Sequence, residues 1–178
     1  MSNLPRNETL RLTLVPAFAE HVLVLMDRPE QFEQVTGLSL AKGLGRFLKS
    51  DSVSPDWLAA LRNSSGPDPW RHGFFVVHRE TRRVIGTVGF KGPPDAEGTV
   101  EVAYGIATDY QAQGYATEAA AEAVRFAFAS GNVRLVRAHT LPGLNPSSGV
   151  LKKLGFVHLG TVVDPDDGPV WRWERVPS

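Results

Sequence analysis

Residues 101–120 have the sequence EVAYGIATDYQAQGYATEAA, and this stretch decides the fold. It predicts a strand, then a turn with the pattern Gln-x-x-Gly-x-Ala, then a helix. A glycine at position 114 lets the backbone turn tightly and approach a ligand closely. The first amides of the helix have no intrahelical partner, and the helix dipole adds partial positive charge at the same place. A strand that leads into such a turn is therefore a candidate site for a diphosphate.

Two familiar phosphate-binding patterns do not explain this turn. The sequence contains no Gly-x-x-x-x-Gly-Lys-Ser/Thr, so a nucleoside-triphosphate loop is not predicted. The dinucleotide pattern Gly-x-Gly-x-x-Gly does not follow the strand either. Gly43-Leu44-Gly45 lies elsewhere, follows no clear strand and is predicted to be a loop.

A second segment, residues 138–156, also combines a strand, a short helix and a further strand. Its helix follows Asn145 and carries apolar residues at helical spacing, which can dock it on a core. Gly155 stands where a helix C-terminal glycine is expected, and Phe156 begins the next strand. The Leu-Gly-Phe ending therefore couples the end of a helix to the start of a strand.

Together the two segments resemble motifs A and B of the GNAT superfamily of N-acetyltransferases. The motif A match consists of Gln111, Gly114 and Ala116, and the order and separation of the two segments also fit. The stretch Glu8 to Leu12 resembles the opening strand of the subgroup that includes the ribosomal-protein N-terminal (alanine/serine) acetyltransferases. The resemblance is strong over residues 73–174 and thin over 14–72.

This resemblance implies an α/β (α+β) fold, with a mixed central sheet of about six to seven strands flanked by helices. It implies a single N-acetyltransferase domain over 1–178, with motif A at about 99–130 and motif B at about 133–156. The pattern along the chain agrees, since strands are predicted at 10–15, 74–78, 84–90 and 99–106 and Ser54-Pro55 begins a helix.

The resemblance also implies that acetyl-CoA is the cosubstrate, held by the motif A turn and the pantetheine-binding strand. Backbone atoms of Ile106, Ala107 and Thr108 are expected to pair with the pantetheine amides like an added strand. Asn145 resembles the motif B residue that contacts the pantetheine arm, and it is equally suited to be a helix N-cap. The residues expected around the diphosphate are Gln111, Ala112, Gln113, Gly114, Tyr115, Ala116 and Thr117. The first three contain no Lys or Arg, so the turn itself offers amides and a dipole alone.

Glu101 is the candidate general base for deprotonating the attacking amine, because it lies upstream of the turn by about the length of a pantetheine arm. It is equally suited to ordering the strand or binding the amine. Glu118 is a competing carboxylate in the first helical turn. The family's frequent motif B tyrosine is missing here. Some relatives use a serine near the sulfur instead, and the resemblance makes Ser148 or Ser147 the candidate proton donor for the thiolate, with helix capping as the alternative.

Composition restricts the partners. The chain has 178 residues, no cysteine and a formal net charge of +0, so a cysteine nucleophile is excluded and neither nucleic acid nor a membrane is favoured. No metal site is predicted, because no metal-ligand spacing joins the histidines, which are His21, His72, His78, His139 and His158. A cytoplasmic monomer or homodimer is expected.

The acceptor is left open by the sequence. Its specificity is expected to come from residues 15–72 and the loop Gly92–Gly98, where the resemblance is thinnest. A protein α-amine, an amino acid, a polyamine and a drug-like amine all remain candidates. Phe32, Trp57, Trp70 and Tyr104 are candidates either for that pocket or for the core. The main functional prediction is an N-acetyltransferase that acts by direct attack in a ternary complex. A non-catalytic acyl-CoA-binding module with the same fold is the alternative.

Overall fold

The computed structural model describes residues 7–45 and 53–178 of the chain. Its strands are β1 (Asn7–Glu8), β2 (Leu12–Pro16), β3 (Ser39–Leu40), β4 (Phe74–His78), β5 (Arg83–Phe90), β6 (Thr99–Ile106), β7 (Leu135–Thr140), β8 (Val157–Asp164) and β9 (Gly168–Arg175). Its α-helices are α1 (Ala19–Asp27), α2 (Phe32–Thr36), α3 (Pro55–Arg62), α4 (Tyr115–Ala129) and α5 (Pro146–Lys153). The predicted strands and helices are therefore confirmed, with shifts of a few residues at their ends.

Local signals explain where two of the helices begin. Helix α3 starts as predicted, because the Ser54 hydroxyl accepts a hydrogen bond from the amide of Trp57 at 3.1 Å and Pro55 occupies the first turn. Helix α4 starts directly after Gly114, whose φ of +84° is a left-handed conformation that favours glycine. Along α4, buried alanines such as Ala119 and Ala123 let the helix lie close to the sheet.

The sheet has the strand order β1-β2-β4-β5-β6-β7-β9-β8, and β3 pairs with β5 beside this path. Neighbouring strands are antiparallel, except for the parallel pairs β6–β7 and β3–β5. Within the described residues, seven strands have five or more residues, in agreement with the predicted six to seven. The other two, β1 and β3, have two residues each and are too short to leave a pattern in the sequence.

The parallel pair β6–β7 separates after three residues. Its register runs from Thr99↔Leu135 to Glu101↔Arg137. Beyond that point β6 remains paired with β5, and β7 remains paired with β9. The two halves of the sheet therefore diverge after Glu101, and we call the opening between them the fork.

The two walls of the fork are anchored by buried packing. Residues Val100 and Val102 of β6 are buried towards α4, whereas Glu101 and Ala103 face the other side of the sheet. On β9, the indole of Trp173 is 1% exposed and donates a hydrogen bond to the Thr140 hydroxyl at 3.0 Å. These contacts fix β6 and β7 in their diverging directions, and the candidate site lies between them.

Candidate active site

A cleft of about 750 Å³ opens at the fork, between the end of β6 and the N-termini of α4 and α5. It contains most of the residues that the sequence assigns to coenzyme binding. Those that line it are Ile106, Gln111, Ala112, Gly114, Tyr115, Ala116, Thr117 and Asn145. Residues of motif A and motif B, which are distant in the sequence, therefore line the same cleft.

The turn before α4 presents unpaired amides to this cleft. The first amide bonded within the helix is that of Glu118, which donates to the Gly114 carbonyl at 3.0 Å. The amides of Tyr115, Ala116 and Thr117 precede it and have no helical acceptor. Ala112 also has a positive φ, +57°, so the turn adopts two left-handed residues in close succession. This geometry suits a diphosphate at the helix N-terminus.

An arginine from the other end of the chain lies at this turn. The Arg11 Nη1 donates to the Gln113 carbonyl at 3.0 Å, and its Nε donates to Glu118 Oε2 at 2.8 Å. Its guanidinium carbon also lies 4.3 Å from the centre of the Tyr115 ring. The turn does lack a cation of its own, but Arg11 supplies one from 102 residues away. No local sequence signal points to that contact.

On the edge of β6 that is expected to bind pantetheine, Ala107 does not fit the expected role. That residue is fully buried, its amide donates to the Ile85 carbonyl at 2.8 Å, and its carbonyl accepts from the Tyr110 amide. It therefore has no amide to offer a ligand. Because peptide groups alternate along a strand, those of Tyr104 and Ile106 turn toward the fork instead.

Three other predicted contacts differ in detail. The Ile106 carbonyl already accepts a hydrogen bond from Gln111 Nε2 at 2.9 Å, so Gln111 closes the end of the strand. Thr108 begins a short 3-10 turn and lies outside the cleft lining. Gln113 also lies outside the lining, and its carbonyl contacts Arg11.

Glu101 lies at the last paired position of β6 and β7, in contact with two basic side chains. Its Oε1 is 2.6 Å from Lys91 Nζ and 3.0 Å from His139 Nδ1. Burial opposes the charge of Lys91, but its hydrogen bond and ion pair with Glu101 raise its pKa above the usual value. The carboxylate is therefore held in one orientation, on the sheet face opposite α4.

His139 is a functional candidate that no motif in the sequence indicates. The register pairs Glu101 with Arg137, and His139 stands two residues further along β7. In a strand, positions two apart share a face, so the register places His139 beside Glu101. The residue alternation was visible in the sequence, but the register was not.

Ser148 is the second correction. Its hydroxyl is in a capping box: it accepts from the Asn145 amide at 3.0 Å and donates to the Asn145 carbonyl at 2.8 Å. The residue is 1% exposed and lies outside the cleft lining. The Ser148 hydroxyl therefore caps the helix, and its geometry gives no support to a role as the proton donor. Asn145 caps the helix through Oδ1, which accepts from the Ser148 amide at 2.9 Å, and it still lines the cleft.

Tyr104 provides a hydroxyl that does face the cleft. The hydroxyl donates to the Ser147 carbonyl at 3.3 Å, across the fork from β6 to α5. Burial raises the pKa of Tyr104 to about 12, although the contact with Ser147 acts in the opposite direction. The phenol therefore stays protonated at neutral pH. Of the four aromatic residues considered for the acceptor pocket, this one belongs to the cleft.

The competing carboxylate, Glu118, is already engaged. Its Oε1 accepts from the Thr9 hydroxyl at 2.5 Å and from the Arg11 amide at 2.8 Å. Burial alone would raise the pKa of Glu118, but the hydrogen bonds from Thr9 and Arg11 and the charge of Arg11 hold it below its ordinary value. Such a carboxylate is a weak proton acceptor.

The acceptor region is described in part. Phe32 is fully buried in the core, Trp70 packs against Phe90, and Trp57 donates its indole N–H to the Arg71 carbonyl at 3.2 Å. Residues 46–52, which belong to the region 15–72 expected to set specificity, lie outside the described residues.

The chain matches the family model described as the acetyltransferase (GNAT) domain over residues 11–157. It is 31% identical over 91 residues to an uncharacterized N-acetyltransferase of Bacillus licheniformis, an alignment that covers 51% of each chain. The match thus spans about half the length of that curated relative.

Two solved structures share the fold. One is a ribosomal alpha-N-protein acetyltransferase in complex with coenzyme A, with 14% identity, coverage of 94% of this chain and 95% of that one, and a TM-score of 0.63. The other is a ribosomal-protein alanine acetyltransferase from Vibrio fischeri, with 16% identity, coverage of 95% and 94%, and a TM-score of 0.62.

The chain therefore belongs to the GNAT family of acetyltransferases, and its fold is the one that the motif resemblance implied. The splayed strands, the glycine turn and the capped motif B helix all lie within or beside the matched range. Among the described residues, none of the helices has the length and apolar character needed to cross a membrane.

Proposed function

We propose that the chain transfers an acetyl group from acetyl-CoA to a primary amine, by direct attack of the amine in a ternary complex. The observation that carries this proposal is the fork itself. The cleft at the fork is suited to the coenzyme, and Glu101 lies at the last paired position of β6 and β7, where the fork begins, on the sheet face away from α4. We further propose that the chain works as one domain over residues 1–178 and resides in the cytoplasm.

The coenzyme would enter along the α4 side of the fork. Its diphosphate fits the amides of Tyr115, Ala116 and Thr117, and its pantetheine amides fit the Tyr104 peptide groups and the Ile106 amide, which turn toward the fork. The solved relative with coenzyme A shares this fold, which supports the assignment of the cleft. The thioester would then lie where β6 and β7 diverge.

Glu101 is the proposed base. A lysine amine has a pKa of about 10.4 and an α-amine one of about 7.7–8.0, so either must lose a proton before it attacks. The amine nitrogen forms a bond to the thioester carbonyl carbon, the carbon–sulfur bond breaks, and the amine proton goes to Glu101, directly or through water. Lys91 and His139 hold the carboxylate in place, at 2.6 and 3.0 Å.

The departing thiolate needs a hydrogen-bond donor. Tyr104 suits this role better than Ser148, because its hydroxyl lines the cleft and its pKa of about 12 keeps it protonated. A thiol has a pKa of about 8.5, so the tyrosine donates a hydrogen bond to the thiolate rather than transferring its proton completely. The Ser147 hydroxyl, on a residue that also lines the cleft, is the alternative donor.

Thiol release from acetyl-CoA tests the activity. The panel contains peptides with varied N-termini, free amino acids, polyamines and aminoglycosides, and a sample without amine corrects for hydrolysis. Release driven by one class of amine supports the transferase and identifies its acceptor. No release by protein that still binds coenzyme A favours the non-catalytic binding module.

Glu101→Gln tests the base. We expect kcat to fall by about 10²-fold or more, while the Kd for coenzyme A remains close to that of the wild type. Glu174→Gln is the matched control, because Glu174 is also ion-paired with two basic side chains, Arg137 and Arg172, and it lies on β9, which β7 separates from β6. Unchanged turnover in Glu101→Gln would remove Glu101 as the base.

A further inference from the structure

We propose that Arg11 is a positioning residue of the coenzyme site, which fixes the diphosphate-binding turn and neutralises Glu118 beside it. The inference rests on the coenzyme cleft assigned above. It concerns β1, β2 and the segment between them, which hold no residue of either acetyltransferase motif. It makes the N-terminal strand region a part of coenzyme recognition.

The contacts of Arg11 tie three parts of the turn together. Its Nη1 donates at 3.0 Å to the carbonyl of Gln113, which is the residue before Gly114. Another nitrogen donates to Glu118 at 2.8 Å, in the first turn of α4, and the guanidinium also covers the face of Tyr115. The side chain therefore holds both the last turn residue and the start of the helix.

Gly114 makes room for this arrangement as well as for the left-handed turn. A Cβ built at Gly114 would lie 3.2 Å from Arg11 Nη2, which is the nearest atom that it would meet. The edge of the Arg11 guanidinium therefore lies against the space that a side chain at position 114 would enter. A glycine chosen only for its φ would not require a neighbour at that distance.

The charge of Glu118 gives the pair a direct consequence for binding. The Glu118 carboxylate lies in the same first helical turn as the amides that would hold the diphosphate, and like charges repel. The side chain of Glu118 is 17% exposed, so solvent screens it incompletely. Paired with Arg11, it contributes little net charge. Left alone, it would oppose the diphosphate.

This charge argument predicts a rescue. Arg11→Gln should weaken coenzyme A binding by about tenfold, since it removes charge-assisted hydrogen bonds and leaves Glu118 unpaired. The double variant Arg11→Gln/Glu118→Gln should bind coenzyme A more tightly than Arg11→Gln alone. A role of Arg11 through its contacts with Gln113 and Tyr115 alone predicts no recovery in the double variant, because Glu118→Gln restores neither contact.

The Kd values are measured by calorimetry on the full chain with coenzyme A and with 3′-dephospho-coenzyme A. Arg79→Gln is the matched control: Arg79 donates to the Thr9 carbonyl at 2.8 Å and pairs with Glu8, so it supports the same segment without touching the turn. We expect Arg79→Gln to stay within about twofold of the wild type. If Arg11→Gln does not fold, Arg11→Lys provides the test, with an intermediate Kd expected because the charge remains and the forked geometry is lost.

Three results would overturn the inference. The first is an Arg11→Gln affinity equal to that of Arg79→Gln. The second is a double variant no tighter than Arg11→Gln. The third is a loss confined to coenzyme A and absent with the dephospho form, which would assign Arg11 to the 3′-phosphate. Failure of the proposed function is separate: a wild type that binds coenzyme A without acetyl transfer leaves this test intact, and one that does not bind it refutes both.

Discussion

Gly86 on β5 is the position where a single methyl group should damage the fork most directly. Gly86 pairs with Ile106 across the β5–β6 ladder. A Cβ at Gly86 would overlap the Gly105 carbonyl oxygen and lie 2.7 Å from Ile106 Cδ1 and 3.2 Å from Ile106 Cα. Two of these three atoms belong to the backbone, so a side-chain rotation cannot relieve the clash. Strand β6 must move at the wall of the cleft.

The magnitude follows from overpacking. Forcing a methyl group into a filled position costs about 1–3 kcal/mol. For a chain of this size, 1 kcal/mol corresponds to about 2–4 °C in Tm, so Gly86→Ala should lower Tm by about 2–12 °C. Because Gly105 and Ile106 line the cleft, the same shift should also weaken coenzyme A binding.

Gly105→Ala provides the control, since a Cβ there meets no atom within 4 Å and its φ is not in the left-handed region. Gly105 lies on β6, one residue from Ile106. The free energy of unfolding is measured in urea for both variants, and the Kd for coenzyme A is measured by calorimetry for Gly86→Ala and the wild type. Equal unfolding free energies for the two variants, to within about 0.5 kcal/mol, would refute this account of the fork.

Four further outcomes test other parts of the structure. Thr140→Val should cost about 1–3 kcal/mol in urea unfolding, because it leaves the buried indole N–H of Trp173 without an acceptor, whereas Thr140→Ser should stay near the wild type; equal losses would contradict this. Asn145→Ala should cost about 1 kcal/mol through loss of the cap, and no loss in the same assay would contradict it. Tyr104→Phe should lower kcat and leave the Kd for coenzyme A within about twofold; unchanged kcat would exclude its hydroxyl as the thiolate's donor. The folded-state pKa of Glu118 is lowered, so its stabilising contribution is present at neutral pH and is lost as the pH falls through the lowered pKa. The difference in unfolding free energy between Glu118→Gln and the wild type should therefore shrink in acid, and growth of that difference would contradict this.

The sequence predicted the features that depend on residues close to one another along the chain. The turn at Gly114 and the cap at Asn145 are each set by residues within four positions of them, and both are found where the motifs placed them. The Ala107 amide is engaged by the Ile85 carbonyl, which lies on a different strand, so the local sequence did not indicate this contact. For Ser148, the sequence leaves two roles open, because helix capping and proton donation both use the same hydroxyl. Only the position of the cleft, which Ser148 does not line, distinguishes them.

The contacts of Arg11 and His139 could not be predicted, and the reason is the pairing register. His139 lies 38 residues from Glu101, and the three-residue parallel pairing of β6 with β7 brings them together. Arg11 directly precedes β2 and Gln113 follows β6, and β2 stands three strands away from β6 in the sheet. Their contact therefore depends on the order of the strands in the sheet. Periodicity gives the face on which each side chain lies, but not which strand stands beside it.

The fork also bears on the proposed direct attack. On β6, Tyr104 and Ile106 line the cleft on the side of α4, whereas Glu101 faces the opposite side. In a continuous sheet, a strand would separate these two sides. Here β7 leaves β6 after Glu101, so we propose that a thioester held from one side meets an amine that arrives from the other. The chain has no cysteine to carry an acetyl group between the two substrates, which agrees with the proposed direct attack. In this proposal, Lys91 and His139 orient Glu101 as the proton acceptor at the point where the strands part.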